Sequence, residues 1–160
     1  SKEEVVEQNK NKKNRKTIFF SGLIIVILEL FFMNLSGYTK DDFFLKILTV
    51  ELLMLIFGVY LTFFAKETLP TYYDENKISF YSDGFFRINM AGLHFNNSNW
   101  KHVLRTIHLA VISIFTIFPS LYFGISWFNL TLGVTGQLIL NLVPIFGLLI
   151  PVYFVGKKYE

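Results

Sequence analysis

The sequence predicts an all-α integral membrane protein: a four-transmembrane-helix bundle with a cytoplasmic β-hairpin-containing segment between helices 2 and 3. Three observations predict it. Four apolar stretches, Ile18–Gly37, Phe43–Phe64, Leu104–Trp127 and Leu132–Val155, divide the chain. Each runs for about 20–24 residues, enough at ~1.5 Å per residue for a helix to cross a hydrocarbon core of about 30 Å. The charged residues fall almost entirely between these stretches, and 52% of the 160 residues are apolar, 19 of them Phe. Too little polar chain remains to cover a soluble core.

The first element, residues 1–16, is a polar, basic tail without a sustained apolar face, and Glu3, Glu4 and Glu7 precede most of its lysines. It reads as a solvated segment that sets orientation, with electrostatic attachment to anionic lipid as the alternative. Ile18–Gly37 follows as an uncleaved first span. It is about twice the length of a signal-peptide core, and no small-x-small cleavage pattern comes after it.

Orientation follows from the basic residues, which are retained on the cytoplasmic side. Thirteen of the 15 stand before the first span, between spans two and three, or after span four; Lys40 and Lys46 are the two exceptions. Both termini and the middle segment are therefore expected in the cytoplasm, with short external turns at Tyr38–Asp42 and Phe128–Thr131.

The middle segment, residues 66–101, opens on Thr68-Leu69-Pro70, where proline disfavours helical continuation. Asp83-Gly84 between Ile78-Ser79-Phe80-Tyr81 and Phe85-Phe86-Arg87-Ile88 is a hairpin signal, so Ile78–Met90 is expected to form two antiparallel strands. An isolated hairpin is marginal in water and needs a surface. Tyr72, Tyr73, Phe80, Tyr81, Phe85, Phe86 and Trp100 supply interfacial aromatic area, either against the headgroups or towards a partner. Asn96-Asn97-Ser98-Asn99 is turn chemistry that can cap a helix starting near Trp100.

The pattern strand, Ser82-Asp83-Gly84, strand, Asn99-Trp100, followed by a span, resembles small multipass membrane proteins of low-GC Gram-positive bacteria grouped with bacteriocin-immunity proteins of the SdpI type. The resemblance covers Leu69–Trp100. It implies an immunity or accessory role and assigns no site residue. That family's Leu-Pro and Trp features are incomplete in this chain, and the family would have six spans rather than four.

Polar groups inside the spans are the remaining signal, because a charge in hydrocarbon costs roughly 2.5–3.5 kcal/mol on insertion scales. Glu29 and Glu51 each lie ~12 Å along a helix from the external end of their span, and Asn141 lies near the same level. Gly22, Glu29 and Ser36 share a face, as do Glu51, Gly58 and Thr62, and small residues on such faces allow close helix approach. Gly133, Gln137, Asn141, Pro144 and Pro151 give span four a third such face. Glu29, Glu51, Asn141 and Gln137 are thus expected to converge as an intramembrane polar cluster. Two neighbouring carboxylates in a low dielectric resist both being ionised, so the cluster reads either as interhelical glue or as a proton or cation site.

The absence of Cys excludes disulfides, thiolate metal sites and a Cys nucleophile. No His-Glu-x-x-His, Gly-rich phosphate loop or Gly-x-Ser-x-Gly occurs, so no catalytic residue, metal ligand or cofactor is assigned. His102, Arg105 and His108 read as uncommitted interfacial residues. The expected function is that of a non-enzymatic accessory or immunity-type factor acting through contacts with another membrane protein or a second copy. The alternative is an oligomeric small transporter or channel protomer using the Glu pair. The lipid bilayer is the expected surrounding, and nothing points to nucleic acid.

Overall fold

The computed structural model describes residues 1–37, 41–68, 95, 98–127 and 133–159. They form four helices: α1 (Lys2–Leu35), α2 (Asp41–Val59), α3 (Trp100–Trp127) and α4 (Val134–Tyr159), with α2 prolonged by a π-helical turn, Tyr60–Phe64. Each has an apolar stretch long enough to cross a membrane, so the chain has the make-up of a multi-pass membrane protein. Among the described residues there is no strand. The hairpin expected at Ile78–Met90 lies outside them and is not supported, and Tyr72, Tyr73, Phe80, Tyr81, Phe85 and Phe86 lie outside them too.

The basic tail is not separate from the first span. α1 runs unbroken from Lys2, because no Gly or Pro precedes Gly22 and Glu, Gln, Lys and Arg favour helix. The hydroxyl of Ser1 accepts from the Glu4 N–H at 3.3 Å and caps the first turn. At the far end Gly37 takes φ 74°, and its N–H donates to Asn34 O at 3.1 Å, closing the helix in the left-handed conformation that glycine adopts without strain.

In α1 the inward stripe is Arg15, Phe19, Gly22, Val26, Glu29 and Met33, with alternating spacings of four and three residues. α2 and its π turn bury Ile47, Glu51, Met54, Gly58, Leu61 and Thr62 on the same rhythm. Where the stripes meet, an added Cβ on Gly58 would stand 3.3 Å from the Phe19 ring, and Val26, Met54 and Leu61 share one core cluster. Glu29 and Glu51 each stand three residues beyond this cluster on their own helix, counted from Val26 and Met54.

α3 is the hub against which α1, α2 and α4 each pack. It buries Val103, Leu104, Val111, Ile112, Phe115 and Phe118. Gly22 permits the α1–α3 approach, since a Cβ there would stand 2.7 Å from Ile112 Cγ2. The outer faces keep exposed Leu, Ile and Phe along every span, as lipid-facing helices do. α4 docks on α3 through Leu140, Pro144, Val152 and Gly156. Buried Asn99 fastens this joint, its Nδ2 donating to Gly156 O at 3.1 Å. α3 starts one turn before Leu104, next to the Asn99 turn, and α4 continues past Val155 because Lys157 and Lys158 suit a helix C-terminus.

Candidate functional site

Each acidic side chain reaches the interior through the stripe it belongs to. Val26 and Met54 pack one turn below the carboxylates, in the core cluster with Leu61, Leu104, Val111 and Phe115. Met33 and Ile47, both buried, close the other side. Glu51 is buried and Glu29 half-buried. Ser120 of α3 completes the set, its hydroxyl donating to Glu29 Oε1 at 3.0 Å.

The remaining three oxygens, Glu29 Oε2 and both of Glu51, are buried without a hydrogen-bond partner among the described residues. Buried carboxylate oxygens are costly in that condition. Two carboxylates and a hydroxyl form a hard-oxygen donor set, which suits a shared proton or a cation such as Na⁺ rather than a soft metal. Among the described residues no three His, Asp or Glu side chains gather, so the set stops at two carboxylates.

The expected four-residue cluster requires correction. Gln137 and Asn141 are exposed on α4 and do not join Glu29 and Glu51. The helical phase explains the difference. α4 buries Leu140 and Pro144, and Asn141 is turned about 100° from Leu140. α4 also packs on α3 rather than across the α1–α2 pair. Of the small and polar residues assigned to that face, Pro144 is buried, Pro151 is half-buried and Gly133 is exposed; on α1, Ser36 is also exposed.

Trp100 ties the start of α3 to the residues that follow the π turn instead of standing free. Its Nε1–H donates to Lys66 O at 2.9 Å, and its ring meets Phe95 edge-on at 5.7 Å. Ser120 escaped the sequence reading, although it sits one heptad before Trp127 and so near the depth of Glu29; that count was the available signal.

His108 is not an uncommitted interfacial residue. It is fully buried, and its Nε2 lies 2.9 Å from Thr62 Oγ1. The single hydroxyl proton of Thr62 goes to Gly58 O, so His108 Nε2–H is the donor to Thr62. Thr62 stands in the π turn, closed by Ala65 N–H to Tyr60 O at 2.9 Å, a widening of the helix that recurs at functional sites. Below this pair Arg15 Nη1 and Glu67 Oε1 form a buried ion pair at 3.1 Å.

No family model, curated protein or solved structure matches the chain.

Proposed function

We propose that the chain is a small membrane carrier or channel protomer that binds a proton or a small cation at Glu29 and Glu51. The observation that carries this reading is the set of three buried carboxylate oxygens without partners among the described residues, beside Ser120. A pair serving only as interhelical glue would have its oxygens satisfied by neighbours. The amides that could have supplied that, Gln137 and Asn141, face outward.

The test uses purified protein in vesicles, with proton or Na⁺ flux read by an internal dye. Glu29→Gln and Glu51→Gln each preserve the fold and abolish flux, since Gln keeps hydrogen bonding and loses the exchangeable charge. Flux undiminished in both variants refutes the proposal.

A second reading, the accessory or immunity-type factor, is favoured by the same two amides. Exposed Gln137 and Asn141 at membrane depth offer interhelical hydrogen bonds to another membrane protein or a second copy. Wild-type vesicles without flux, together with a partner retained in mild detergent, decide for it.

In either case both termini lie in the cytoplasm, on the argument from thirteen of the 15 basic residues. A reporter fused after Tyr159 reads as internal and one at Tyr38 as external; the reverse pattern inverts the topology.

A further inference from the structure

At the basic end of the bundle a cleft of about 390 Å³ opens between α1 and α3, lined by Glu7, Arg15, Glu67, Lys101, Arg105 and His108 among others. Its charges do not balance. Glu67 pairs with Arg15, and Glu7 accepts from Lys101 Nζ at 3.4 Å. Arg105 is exposed and makes no ion pair among the described residues. Among the described residues, three cations thus face two carboxylates.

Arg15 is only 5% exposed, yet its Nε–H has no acceptor among the described residues. The cleft therefore combines a buried, unused donor, a free guanidinium at the rim and one surplus positive charge.

A second hollow of about 410 Å³, almost wholly apolar, runs between α3 and α4. Leu109 lines both. From Arg105 the exposed residues of α3 continue at four-residue steps through Leu109, Ser113, Ile117 and Leu121, forming one strip from the charged end into the span. A polar head site thus leads directly onto an apolar track.

We propose that this composite site binds one anionic phospholipid. Its phosphodiester enters the cleft at Arg15 and Arg105, and an acyl chain follows the Leu109–Leu121 strip. The single negative charge of the diester matches the surplus, and the track supplies what a free anion would not use. A choline headgroup would bring its cation beside Arg105, so the site discriminates against zwitterionic lipid. Basic pockets at helix ends are known to hold anionic headgroups in this way.

The test uses the full chain in neutral detergent, titrated separately with phosphatidylglycerol, phosphatidylcholine and inorganic phosphate. Thermal unfolding and native mass spectrometry report binding. Phosphatidylglycerol raises Tm and is retained at one molecule per chain, whereas phosphatidylcholine does neither. Arg105→Gln weakens phosphatidylglycerol binding about fivefold, the loss expected for one interfacial cation. Ser113→Phe, which blocks the track from an exposed position, weakens it as well. Because both positions are exposed, Tm without lipid stays at the wild-type value and serves as the folding control. Equal response to the two lipids, or unchanged binding in Arg105→Gln, overturns the proposal. Stabilisation by inorganic phosphate equal to that by phosphatidylglycerol overturns the lipid as the source of the anion.

Discussion

Arg15→Ala lowers the stability of the detergent-solubilised protein by about 3–5 kcal/mol, the cost of removing one member of a buried ion pair. The Arg15 and Glu67 side chains are 6% and 8% exposed and meet at 3.1 Å. The substitution strands the Glu67 carboxylate, which is far worse than never having buried either charge. The double variant Arg15→Met/Glu67→Leu therefore recovers most of the loss, since replacing both partners by apolar groups is often neutral. Thermal and denaturant unfolding measure both effects. A change below about 1 kcal/mol for Arg15→Ala means that the pair is solvated and behaves as a surface salt bridge. The position gives the result wider reach, because Glu67 stands two residues after the extended Ala65 that ends the π turn. The pair joins the exit of α2 to α1, below the contact between His108 and Thr62 and in the same cleft as His108.

Much of this architecture was legible because hydrocarbon imposes one length on every crossing segment. Span positions follow from apolar run length alone, and the Glu29 and Glu51 levels follow from counting residues inward from the span ends. Which face meets which neighbour is a different matter. Asn141 and Leu140 are adjacent in sequence but about 100° apart on the helix, and both belong to a span apolar nearly all round. Only the docking of α4 on α3 alone decides that Leu140 turns inward and Asn141 outward.

His108 failed for a related reason. Its burial comes from Thr62, forty-six residues earlier in the chain, and from a π turn that no local pattern announces. The tail is solvent-exposed as its polar sequence suggests, yet it is helical without an apolar face of its own. Its helix needs none, because it continues from a packed span and is held by Glu7 with Lys101 and by Arg15 with Glu67.

Glu51→Leu is expected to stabilise the protein by about 1–3 kcal/mol while abolishing flux. Both oxygens of Glu51 are buried without partners among the described residues, so the wild-type chain carries a desolvation cost that leucine removes at similar volume. The flanking Ile47 and Met54 already form apolar contacts on either side, so the new side chain extends an existing stripe. Retention of a destabilising group is understandable where that group does chemistry, because a site tuned for binding is rarely tuned for stability. A structural role predicts the opposite sign: if Glu51 were glue, leucine would remove hydrogen bonds and lower Tm. Unfolding of Glu51→Leu and Glu51→Gln, measured beside the flux assay, therefore separates the two roles. Higher Tm with lost flux fits the carrier reading. Lower Tm in Glu51→Leu makes the pair a structural joint and leaves the accessory reading standing.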